Sequence, residues 1–177
     1  LRAMGHRVDA LEPLPGARAA LAAAGAERIA VADYAALADA ALDGAQGSAA
    51  ALTGPYTAIL LGWGSLTHVL GTADRARLVR ACHALCPTGP ILASFWQVGS
   101  AHALAPSRAQ RLGRRLGRAV GRVRGREPAP PTRQFTRWAG FGACLSRAEV
   151  EALGLAGGRR TQWGPEGPYP HVTWAAR

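Results

Sequence analysis

Three side chains in the N-terminal half have the chemistry of a ligand-handling or proton-handling site: the carboxylates Glu12 and Asp33 and the imidazole His68. Each comes after a short apolar run. Val8 to Leu11 leads into Glu12, Arg28-Ile29-Ala30-Val31-Ala32 leads into Asp33, and Tyr56 to Leu61 leads into Gly62-Trp63-Gly64-Ser65-Leu66-Thr67-His68. A carboxylate offers two acceptor oxygens, so it can hold two hydroxyls at once. An imidazole has an ordinary pKa near neutrality and can take a proton from an oxygen or nitrogen nucleophile. Blander readings stand beside these: a solvated Glu12 in a turn, an Asp33 that caps a helix, a His68 that is a cap or a surface residue. Gly62-Trp63-Gly64 either brings backbone and an aromatic face close to a cationic ligand or simply makes a tight turn with the indole in the core.

These residues need a scaffold that presents strand ends, and the chain alternates accordingly. Pro13-Leu14-Pro15-Gly16 breaks the chain after Glu12, and the Ala-rich stretch 17–24 predicts a helix closed by Gly25. A second helix is expected over about 34–42, followed by a loop at 44–48. Residues 56–61 are apolar almost throughout, as a strand covered on both faces would be. Thr72 is the expected N-cap of the next helix, Asp74 suits its first turn, and Leu78, Val79, Cys82, Leu85 and Cys86 form one apolar stripe. Pro87 and Gly89 end that helix before a strand over 91–95. Ser146 and Glu149 spell a capping box. Gly157-Gly158 turns the chain into two short strands, 159–163 and 171–175, that read as an antiparallel hairpin. Strand alternating with helix predicts a doubly wound, mostly parallel α/β sheet.

The 177 residues, 49% of them hydrophobic, suit one domain with a single core. No run of about 18 apolar residues is present to span a membrane. Three cysteines, with Cys82 and Cys86 on the apolar side of a helix, suit packed free thiols in a reducing compartment, the cytoplasm, rather than a disulfide scaffold or zinc module. The net charge of +10 comes entirely from arginine. Ten arginines lie between Arg108 and Arg137 against the single acid Glu127, leaving 11 basic and 10 acidic residues elsewhere. The basicity therefore belongs to an insertion at about 97–145, either a solvated segment or a grip for phosphates or an acidic substrate, with Phe135 and Trp138 available for stacking.

The order of elements resembles the class I S-adenosylmethionine-dependent methyltransferases, whose Rossmann-like sheet ends in an antiparallel strand. The resemblance covers most of residues 5–100 and 146–177. It rests on Val8-Asp9-Ala10-Leu11-Glu12-Pro13, on Ala32-Asp33-Tyr34, on the stretch from Ile59 to His68, and on Leu85-Cys86-Pro87-Thr88-Gly89-Pro90-Ile91-Leu92-Ala93-Ser94-Phe95. It implies S-adenosylmethionine as cofactor, with Glu12 on the ribose hydroxyls, Leu14 on the adenine, and Asp33, with Tyr34, beside the adenine amino group. Gly62 and Trp63 would then meet the methionine and sulfonium part, and His68 would be the catalytic base. The family's glycine-rich loop after the first strand has no match, so the chain reads as a partial domain lacking that strand. A gap is expected between the strands ending at Glu12 and Leu61, with poor stability and weak cofactor binding for the chain alone. The implied activity is methyl transfer to a small-molecule acceptor. The alternatives are an RNA-associated protein using the Arg-rich insertion, or the same fold with a nicotinamide nucleotide, against which the terminal hairpin argues.

Overall fold

A computed structural model describes residues 1–62, 64–98, 133–136, 140–165 and 170–176. Strand β1 (Ala10–Leu11) pairs in parallel with β2 (Ile29–Ala30), in the register Ala10 to Ile29 and Leu11 to Ala30. Helix α1 (Arg18–Ala23) connects them, and Gly25, at φ +88°, supplies the left-handed turn that leads on toward β2. A second sheet has the order β3, β4, β8, β7, built from Ile59–Leu61, Ile91–Ser94, His171–Ala175 and Arg160–Trp163. β3 runs parallel to β4, whereas β8 is antiparallel to both β4 and β7. A two-stranded antiparallel ribbon, β5 (Arg133–Thr136) and β6 (Gly140–Ala143), stands apart from both sheets. The remainder of the Arg-rich segment, with Arg108 to Arg126 and Trp138, lies outside the described residues.

Helices α2 (Tyr34–Asp43), α4 (Thr72–Leu85) and α5 (Arg147–Ala156) pack one against the next, and α5 also packs on β7. The core between helices and sheet is fixed by period. β4 and β8 bury alternate residues, Ile91 and Ala93 on one and Val172 and Trp174 on the other. From α4 come Leu78, Val79, Cys82 and Leu85, the stripe that the helical spacing predicts, with Cys86 just beyond. The three cysteines are buried and unbridged, and burial pushes the Cys82 thiol up to about 12, which keeps it protonated and inert. Ser146 opens α5 with the expected capping box, its hydroxyl accepting from Glu149 N at 3.2 Å while its own N–H donates to Glu149 Oε2 at 2.8 Å. Among the described residues no helix is long and apolar enough to cross a membrane.

Two sequence expectations change. Gly71, not Thr72, is the N-cap of α4, and no side-chain cap is made. The segment before this helix is instead held by Arg75, only 4% exposed, whose Nη1 donates to Val69 O at 2.6 Å and Leu70 O at 3.2 Å while Nη2 reaches Thr72 Oγ1 at 3.1 Å. Thr72 thus accepts from a guanidinium rather than from its own helix. Strand β3 is also not covered on both faces, since Leu60 is 65% exposed. Side chains alternate along the strand, so Leu60 points to the face opposite Ile59 and Leu61; at its edges β3 has a ladder with β4 alone, and among the described residues none joins it to β1.

His83, in the last turn of α4, packs its ring on the backbone of Gly157 and leaves both ring nitrogens without a hydrogen bond. Burial, then the nearby Arg159 charge, lowers its pKa from 6.5 to about 4. The unfolded chain therefore binds a proton below about pH 6.5 that the folded chain refuses until about pH 4, and stability falls as pH drops through that window. With half-burial discounting the full shift, the expected loss is about 1–2 kcal/mol. Urea unfolding of His83→Phe, which keeps a flat ring and forfeits no hydrogen bond, is expected to show no such fall between pH 7 and pH 4.5; an equal fall in both proteins would place the acid sensitivity elsewhere.

Candidate functional site

The carboxyl ends of β1 and β2 open into a cleft of about 770 Å³ whose far wall is α3 (Ser65–His68) and the start of α4. This is where an open α/β sheet offers a ligand the most backbone and side-chain ends. Glu12, Leu14, Asp33, Tyr34 and His68 all line it. The cleft brings together residues up to 66 positions apart, from Leu11 to Arg77, because the parallel crossovers return each strand end to the same side.

Each of the acids is half engaged. Glu12 Oε1 accepts from Leu14 N at 2.9 Å, which fixes the turn out of β1 and leaves Oε2 without a hydrogen bond. Asp33 Oδ1 accepts from Ala36 N at 2.8 Å and caps α2, leaving Oδ2 without one. Helix capping and a ligand role are thus compatible at Asp33, since they use different oxygens. Leu14, 67% exposed, lays apolar surface at the mouth of the same cleft. Tyr34 is half-buried, and burial raises its phenol above the usual range against the partial relief of a neighbouring Ser65 hydroxyl.

Ser65, which the sequence reading passes over, also lines the cleft and donates its hydroxyl to Gly62 O. Gly62 itself is not among the lining residues, and a Cβ there would meet nothing nearer than Leu60 Cγ at 3.9 Å. The glycine that the turn demands is Gly64, at φ +72°, whose N–H donates to Ser94 Oγ at 2.7 Å. Trp63 lies outside the described residues. His68 closes α3 rather than opening a helix, and its ring stands edge-on to Trp96 with centroids 5.9 Å apart and planes at 67°.

The sequence matches no known family profile and no curated protein. Solved structures do match. The chain aligns with the sugar N-methyltransferase KedS8 from Streptoalloteichus sp ATCC 53650 at a TM-score of 0.57 and 16% identity, over 95% of this chain and 70% of that one. It aligns with PigF, solved with SAH, at a TM-score of 0.51 and 20% identity, over 95% of this chain and 43% of that one. The fold is methyltransferase-like.

On this methyltransferase-like fold the cleft differs in charge from the chain that carries it. The chain is at +10, yet the cleft is lined by Glu12, Asp33 and Asp74 against one arginine, Arg77. Arg77 is already ion-paired to Asp39 and Asp43 of α2, so its charge is spent on holding α4 against α2. The site is therefore one that favours a cation and resists phosphates. Asp74 and Arg77 join the wall through helix packing, a placement that local sequence signals do not carry. Among the described residues no group of three metal-ligating side chains exists.

Proposed function

We propose that this chain belongs to a class I S-adenosylmethionine-dependent methyltransferase, a single Rossmann-like doubly wound domain that methylates a small-molecule acceptor. The observation that carries the reading is the meeting of Glu12, Asp33, Tyr34 and His68 in one acid-lined cleft at the strand ends of a methyltransferase-like fold. The cofactor fits the groups that remain unengaged. Glu12 Oε2 is left to accept from a ribose hydroxyl, Asp33 Oδ2 is left to accept from the adenine amino group, and Leu14 offers an apolar face beside them. That PigF was solved with SAH supports the same class of ligand here. Phosphates of a nicotinamide dinucleotide would face like charge in this cleft, which disfavours that alternative.

S-adenosylmethionine supplies a methyl group already activated for transfer, so the protein's work is mainly positioning and proton removal. Tyr34, at the exit of β2, and Ser65, whose hydroxyl is held on Gly62 O at the exit of β3, line the cleft between those two strand ends. His68 stands at the end of the cleft lined by Val69 and Leu70, where its imidazole takes the proton that an oxygen or nitrogen acceptor loses. The reading also sets a further strand between β1 and β3, each of which has a ladder on one side only.

Calorimetric titration of S-adenosylhomocysteine tests this, on the 177-residue chain and on one extended ahead of Leu1. The extended protein is expected to bind at roughly micromolar Kd and the shorter one at least about tenfold more weakly. A folded extended protein that gives no heat would overturn the cofactor assignment, and equal affinity in the two would remove the additional strand.

A further inference from the structure

Trp96 is held from four directions. Its backbone N–H donates to Thr67 Oγ1 at 2.8 Å, and its carbonyl accepts from Leu145 N at 2.7 Å. Both partners are completely buried, so neither anchor competes with water. The pyrrole side of the indole lies against Gly64, where a Cβ would stand 3.4 Å from Nε1. The benzene side lies against Gly142 of β6, where a Cβ would stand 2.6 Å from Cζ3 and 2.8 Å from Thr67 Cγ2. Real Cβ contacts are not that short, so only glycine lets β6 approach α3 this closely. The imidazole of His68 stands edge-on to the same indole.

An imidazole at the last position of a four-residue helix, exposed and without a hydrogen bond, has little else to fix its ring. We infer that Trp96 is the positioning residue for His68, and that Gly142 is the glycine through which the β5–β6 ribbon holds Trp96 in place. The inference rests on the reading of His68 as the base of the proposed methyl transfer. It ties the ribbon, which shares no ladder with either sheet, to the proton-handling end of the cleft. Ring orientation matters because a base misplaced by about 1 Å costs roughly a hundredfold in rate.

The full chain with labelled histidine provides the test. His68 is assigned by loss of its signal in His68→Gln. In the unaltered protein its ring protons are expected to be displaced by the indole ring current. That displacement is expected to survive Trp96→Phe, which keeps an aromatic edge contact, and to vanish in Trp96→Ala and change in Gly142→Ala. The same two variants are expected to lose about ten- to hundredfold in kcat with KM for S-adenosylmethionine within about twofold, and Trp96→Phe to retain most of the rate. Identical His68 signals in the unaltered protein and Trp96→Ala would overturn the positioning role. Unchanged turnover in His68→Gln would overturn the base role while leaving the packing result intact, so the two failures are told apart.

Discussion

Replacing Glu12 by alanine is expected to weaken S-adenosylhomocysteine binding by about ten- to hundredfold, the loss of the charge-assisted hydrogen bond at Oε2, about 1.5–3 kcal/mol. The structure allows this effect to be separated from damage to the turn. Oε1 already accepts from Leu14 N, so Glu12→Ala frees the turn as well as the ligand, whereas Glu12→Gln can keep the Leu14 bond on its amide oxygen. The glutamine variant is therefore expected to melt with the unaltered protein yet bind about tenfold more weakly, since its amide nitrogen cannot accept from a hydroxyl. Calorimetry checks both. Binding by Glu12→Ala at the original affinity would mean that the cleft takes its ligand without this carboxylate.

The sequence made the strand-end acids legible because a parallel α/β arrangement sends every strand end to one side, and apolar runs mark the strands. That logic reaches Glu12, Asp33 and the Gly62-to-His68 stretch, and with them Leu14 and Tyr34 next in the chain. It fails where tertiary packing decides. Gly62 and Gly64 look equivalent in sequence, but only Gly64 carries the positive φ, and a Cβ at Gly62 would make no more than an ordinary contact with Leu60. Thr72 has the ideal chemistry for an N-cap, yet a guanidinium from the next turn takes its hydroxyl. The whole of 56–61 reads as a covered strand, while the ladder forms only over 59–61 and leaves Leu60 in solvent. Arginines are the least legible of all. In a chain whose 21 basic residues are all Arg, Arg75 and Arg159 look like surface charge, and both are 4% exposed.

Arg159→Met is expected to cost about 3–5 kcal/mol at pH 7, comparable with a large core truncation. The guanidinium has no carboxylate partner among its hydrogen bonds. Nη1 donates to Gly89 O and to Trp174 O, and Nη2 to Cys86 O and Pro87 O, which pins the α4–β4 turn to the buried end of β8. Three of these acceptors, the carbonyls of Cys86, Pro87 and Gly89, lie just past the C-terminus of α4 and in the turn beyond it, where the helix dipole favours a cation. A methionine fills similar volume but leaves the carbonyls buried and unpaired, and Gly89 cannot shift to recover them because Thr57 and Cys86 close in on it. Arg159→Lys, with one ammonium in place of a planar fork, is expected to fall between the two. The same substitution acts on His83, whose pKa is held down by burial first and by Arg159 second. Without that charge the imidazole titrates closer to its ordinary value, and the folded state takes up its proton earlier as pH falls. The deficit of Arg159→Met relative to the unaltered protein is therefore expected to be smaller at pH 5 than at pH 7. Urea midpoints at the two pH values measure both effects, and a loss under about 1 kcal/mol at pH 7 would show that water replaces the guanidinium at those carbonyls.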